Sequence, residues 1–108
     1  HSNYQKVFDY FLKHRSEDSL LITRDFRNYN YAKAGVPVFD FGGENKPENK
    51  LTLEKLKNLE TENQEIWLVI ATNDHDYIES DARHYLRDHY QFIETNYTNE
   101  SMEIWKWE

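Results

Sequence analysis

Glu65-Ile66-Trp67-Leu68-Val69-Ile70-Ala71-Thr72 is an unbroken apolar run, opened by a carboxylate and closed by the polar loop Asn73-Asp74-His75-Asp76. A strand with one wet face alternates polar and apolar residues. This one does not, so both of its faces are expected to be covered, as in the middle of a parallel sheet with helices on either side. That position also locates a binding surface, because open α/β sheets take ligands beyond the carboxyl ends of their strands.

Working outward, strand-like and helix-like segments alternate. Tyr4, Val7, Phe8, Phe11 and Leu12 fall at helical spacing and predict a helix over 3–15, with Ser2 and Gln5 at the spacing of a capping box. Ser19–Thr23 reads as a short apolar strand, and 28–34 as a weak helix or turn. Gly35 fits the residue just past a helix end, where positive φ is needed. The next strand is 36–41. Pro37 cannot donate to a ladder, so this strand belongs at an edge or begins at the proline. A Gly42-Gly43 loop runs to Lys50, followed by a helix over 52–62.

After the 65–72 strand, Asp76 and Glu79 repeat the capping-box spacing, and Ile78, Ala82, Tyr85, Leu86 and His89 mark one helical face through Tyr90. Gln91–Tyr97 reads as a strand. Asn96–Ser101 holds a turn, and Met102-Glu103-Ile104-Trp105-Lys106-Trp107 alternates as a half-buried strand. The expectation is one α/β domain over 1–108. It is a three-layer sandwich on a mostly parallel, Rossmann-like sheet of about five strands, closed by an antiparallel C-terminal hairpin. The two innermost strands should be 19–23 and 65–72, with 36–41 outside the first.

Composition narrows the classes. A chain of 108 residues buries roughly 65% of its unfolded surface, enough for one core. Cysteine is absent, which excludes disulfides, thiolate zinc sites and a cysteine nucleophile. The net charge of −7 sits entirely in residues 55–108, where 5 Lys/Arg face 12 Asp/Glu. Such a half repels phosphate backbones, so nucleic acid is not an expected partner. No apolar run is long enough to span a membrane. The abrupt start at His1-Ser2 points to a piece of a larger protein. The 16% aromatic content supplies large pieces for a small core.

Few patterns carry chemistry. Asp25, Asp40, Asp74 and Asp76 all follow or end strands, and a parallel sheet would gather them on one edge. Gathered carboxylates can hold Mg²⁺ or Mn²⁺, which makes a small nuclease or phosphatase-like enzyme the alternative reading. Capping and turn roles explain the same aspartates without a metal. His84 and His89 are five apart and diverge around a helix, and His75 is a loop histidine beside two aspartates. No glycine-rich phosphate loop and no nucleophile elbow is present. Asn96-Tyr97-Thr98 and Asn99-Glu100-Ser101 match the N-glycosylation pattern. Trp105 and Trp107 share one strand face, which would offer a docking edge if that strand bordered the sheet.

The run Val7-Phe8-Asp9-Tyr10-Phe11-Leu12, a polar turn with Asp18, and the strand Leu20-Leu21-Ile22-Thr23 form a familiar order with Ile66–Ile70, Leu86–Tyr90, Phe92-Ile93-Glu94 and the closing Met102–Trp107. The pattern resembles the soluble C-terminal domain of polytopic membrane glycosyltransferases, the superfamily of protein O-mannosyltransferases and lipid A aminoarabinose transferases. The resemblance implies an extracytoplasmic accessory domain, attached to the membrane through segments outside these residues. It would cover the active site or help bind a glycan, lipid or protein acceptor, with the transmembrane domain of the same chain as its partner. In that family the catalytic carboxylate, the divalent metal and the polyprenyl-phosphate site lie in the membrane part. No catalytic, cofactor-binding or metal residue therefore carries over to any position here.

Overall fold

In a computed structural model, residues 3–24, 34–42, 49–96, 98 and 101–108 are described. The elements are α1 (Asn3–His14), β1 (Leu20–Thr23), β2 (Val38–Asp40), α2 (Leu53–Glu62), β3 (Ile66–Ala71), a 3-10 turn (Thr72–Tyr77), α3 (Ser80–His89), β4 (Gln91–Phe92) and β5 (Met102–Trp107). The strands form one five-stranded mixed sheet in the order β2-β1-β3-β5-β4. β1 pairs in parallel with both β2 and β3, while β5 runs antiparallel to β3 and to β4. The chain is an α/β domain, with its parallel strands centred on β1. Ser2 of the expected capping box, all of the 28–34 segment but Ala34, and most of the Gly42–Lys50 loop lie outside the described residues.

The uninterrupted apolar run sits where its composition requires. Ile66 to Ile70 are all buried, and Trp67 is only 1% exposed. Successive side chains on a strand point to opposite faces, and the core divides accordingly. Leu20, Ile22, Ile66, Leu68 and Ile70 pack with Leu56 of α2 and Ala82 and Leu86 of α3. Leu21, Trp67 and Val69 pack with Val7, Phe8 and Phe11 of α1 and with Met102 and Ile104 of β5. The Phe11 ring meets the Trp67 indole edge-on at 5.5 Å. The indole N–H donates to Glu65 (2.8 Å), which also accepts the Ser16 backbone N–H (2.8 Å). One carboxylate thereby ties the end of α1 to the start of β3.

Pro37 stands immediately before β2, and β2 is an edge strand. Gly35 has φ of 74°, the left-handed conformation expected of it. α2 starts at Thr52, whose hydroxyl accepts the Lys55 N–H at 3.1 Å. Among the described residues no helix is long and apolar enough to cross a membrane.

Three expectations are corrected. β5 does not lie outside a β4–β5 hairpin; it is inserted between β3 and β4. Its six residues pair with all six of β3, Ile66 with Trp107 through Ala71 with Met102. The buried central strand needs a full-length neighbour, and the alternating strand supplies it. The docking edge at Trp105 and Trp107 is consequently absent. Those rings are half-buried, Trp105 edge-on to Phe92 and Trp107 stacked near Tyr90. Second, β4 spans two residues and not the expected 91–97. The Thr98 hydroxyl accepts the Thr95 N–H (2.9 Å) and turns the chain out of the ladder. Third, Asp76 and Glu79 form no capping box. Asp76 lies exposed in the 3-10 turn, and Glu79 precedes α3 without a side-chain cap bond.

Candidate functional site

β1 and β3 both end at the same edge of the sheet, and their exits hold Thr23, Arg24 and Asp74, three of the five buried polar residues among those described. Arg24, directly after β1, and Asp74, in the 3-10 turn after β3, are 8% and 3% exposed. Arg24 Nη1 stands 3.5 Å from Asp74 Oδ1, and its guanidinium lies over the Tyr77 ring, 3.4 Å from the centroid. Asp74 Oδ2 accepts the Ala71 N–H at 2.7 Å. A carboxylate reaching back to the N–H three residues before it tightens such a turn.

A second pair clamps the turn to β5. His75 Nε2 lies 2.7 Å from Glu103 Oε1, which also accepts the Trp105 indole N–H at 2.8 Å. Burial pushes the Glu103 carboxyl up, but the hydrogen bonds from His75 and Trp105 outweigh it and hold the group below its ordinary value. From α3, Arg83 Nη1 donates to the carbonyls of His75 (3.1 Å) and Ile78 (2.6 Å). The turn is therefore held from β1, β5 and α3 together.

A groove of about 530 Å³ opens beside this turn, lined by Ala71, Thr72, Asn73, Ser101 and Met102. Its two walls are joined by the Thr72 N–H donating to the Ser101 carbonyl at 2.9 Å. Two further concavities are charged. One of 360 Å³ lies on α1 between Lys6, Asp9, Tyr10, Lys13 and His14. The other, of 260 Å³, lies at the end of β2 with Asp40, Lys50 and Lys55 on its walls.

The four aspartates singled out from the sequence are distributed as follows. Asp25 lies outside the described residues. Asp40 ends the edge strand β2 and accepts the Gly42 N–H at 2.9 Å, the bond of an Asx turn. Asp74 is engaged as described, and Asp76 is exposed. Among the described residues no three of His, Asp and Glu stand where they could share a metal ion. Sequence reasoning missed Arg24 and Glu103. Arg24 read as the polar end of a strand, and Glu103 as the solvent half of an alternation. A charge placed directly after a buried strand was the available signal for Arg24.

Compared with family models, curated proteins and solved structures, the chain matches none.

Proposed function

We propose that this chain is a non-catalytic accessory domain of a membrane glycosyltransferase. The enzyme would transfer sugar from a polyprenyl-phosphate donor on the extracytoplasmic face of a membrane. In this reading the domain is a three-layer, Rossmann-like sandwich. The division of the core between α1 on one side and α2 with α3 on the other supports that arrangement. The partner is the transmembrane part of the same chain, and the carboxyl edge of the sheet faces the acceptor.

One observation carries the reading. Among the described residues the buried and part-buried ionisable groups around the turn after β3 bond one another, Arg24 to Asp74 and His75 to Glu103, with Asp76 exposed beside them, and they leave a groove walled by neutral side chains. Groups tied in this way fix a surface in shape. Such a surface suits holding and positioning better than proton transfer or nucleophilic attack, which need a base free to reach the substrate. The order of segments, from the α1 pattern to the closing Trp-bearing strand, supports the same assignment through its resemblance to the glycosyltransferase C-terminal domains. Any divalent metal would belong to the membrane part of the enzyme.

Reading the complete open reading frame that encodes these residues tests the proposal. The expected result is several apolar stretches of about 20 residues on the same polypeptide. A frame encoding this domain with no such stretch overturns it.

A further inference from the structure

We infer that the groove between the start of the 3-10 turn and the entry to β5 binds a neutral, hydroxyl-rich ligand of mono- or disaccharide size. This gives the positioning role proposed above its ligand class, and rests on that reading for its place in a transfer reaction. Four observations converge on it. The first is position. The groove lies just beyond Ala71, at the carboxyl end of the central strand β3, where open α/β sheets bind ligands.

The second is size. About 530 Å³ falls inside the roughly 300–1,000 Å³ range of small-molecule sites.

The third is chemistry. Ala71 and Met102 form an apolar floor, and both belong to the α1 side of the core. Asn73 and Ser101, both exposed, supply an amide and a hydroxyl, which together donate and accept without carrying charge, while the Thr72 hydroxyl is buried and does not reach the groove. A sugar has the same division, with C–H groups on its ring faces and hydroxyls around its rim. Among the described residues on these walls, a phosphate would find no cation and a metal ion no carboxylate. The concavities on α1 and at the end of β2 are lined by lysines and aspartates and lack that match.

The fourth is preorganisation. The Thr72–Ser101 backbone bond joins the walls. Asp74 holds the Ala71 N–H, and the His75–Glu103 pair braces the turn from the opposite face of β5, the face of Trp105. A site fixed by its surroundings loses little entropy on binding, which matters most for weakly bound neutral ligands.

The test is a titration of the 108-residue chain followed by backbone amide shifts. The probes are D-glucose, D-mannose, L-arabinose and maltose, with inorganic phosphate as the charged comparison. At least one sugar is expected to give saturable shifts confined to residues 71–75 and 101–104, with a dissociation constant on the order of 1–10 mM. Ser101→Trp, which fills the groove from an exposed position, and Asn73→Ala, which removes the amide, are each expected to weaken binding about tenfold or more. Both should leave the urea midpoint in place. Absence of a saturable shift with every sugar up to about 100 mM overturns the inference. So do unchanged shifts in both variants, or phosphate binding the groove more tightly than any sugar. Such a failure would leave the accessory-domain reading to be decided by the reading frame alone.

Discussion

Replacing Asp74 by alanine removes one carboxylate that performs two tasks. The part-buried Ala71 N–H loses its acceptor at 2.7 Å, which places its cost toward the lower end of the about 1–3 kcal/mol of an unsatisfied donor. Arg24, 8% exposed, loses its anion, and breaking a buried pair from one side costs about 3–5 kcal/mol. Two features lower the second of these costs. The Arg24–Asp74 contact is long at 3.5 Å, and Arg24 keeps the face of Tyr77. The two losses also share one group and do not add in full. The expected destabilisation is about 3 kcal/mol, or a fall in Tm of roughly 12–24 °C for a domain of this size. Urea unfolding followed by tryptophan fluorescence measures it, because Trp67 is buried in the folded state alone. Asp74→Asn, which keeps an oxygen for the Ala71 N–H, should lose less. In the double variant Asp74→Ala/Arg24→Met the loss should fall short of the sum of the two single losses, since the two side chains share one contact. A loss below about 1 kcal/mol, or strict additivity in the double variant, would refute the view of this pair as the fastener of the turn.

Trp67→Ala should cost about 3–5 kcal/mol, because the indole is 1% exposed and touches Phe11 and Tyr10 across the α1 face; a loss under about 1.5 kcal/mol in urea unfolding would place that strand elsewhere. The Glu103 carboxyl is held below its ordinary value of 4.5 by His75 and Trp105 against the effect of burial. A lowered folded value means that its stabilisation is complete above about pH 4.5 and is lost as pH falls through the folded value. Urea midpoints taken from about pH 6 to about pH 3 should therefore fall less steeply in Glu103→Gln than in the parent, and parallel curves would contradict the assignment. On α3, the Tyr85 phenol is pushed up from 10.0 to about 12 by burial and by the hydrogen bond and charge of Glu60, and Tyr90, bonded to the same carboxylate, moves the same way. In Glu60→Gln the phenolate absorbance should rise at lower pH than in the parent; an unmoved titration would show that Glu60 does not set it.

The central strands were legible because the run from Ile66 to Ala71 carries no polar residue to mark a wet face, and Pro37 carries no N–H for an inner ladder. Those two facts place β3 inside and β2 outside without further help. The position of β5 was not legible. Alternation reports that one face is buried, and says nothing about which strands lie on either side. That choice rests on matching lengths, six residues against six in β3 and two in β4. The short β4 escaped for a related reason. Thr95 reads as a strand former inside the expected 91–97, yet the Thr98 hydroxyl accepts its N–H and holds it in a turn. At the carboxyl edge the sequence pointed to Asp74 through its place after β3. Its partner Arg24 is fifty positions away, and no local pattern announces a contact of that span. The groove was hidden likewise, since Ser101 and Thr72 meet only once β5 lies against β3.

Both borders of the sheet are stubs, three residues at β2 and two at β4. An incoming foreign segment would find too few open amide groups on either to extend the ladder, and Pro37 blocks further growth beside the first. The strand with the length to template such growth, β5, is paired with β3 along all six residues and covered on its other side by β4 at Trp105 and Lys106. Copies held close together at high local density should therefore resist polymerising through their sheets, despite a chain that is one-sixth aromatic.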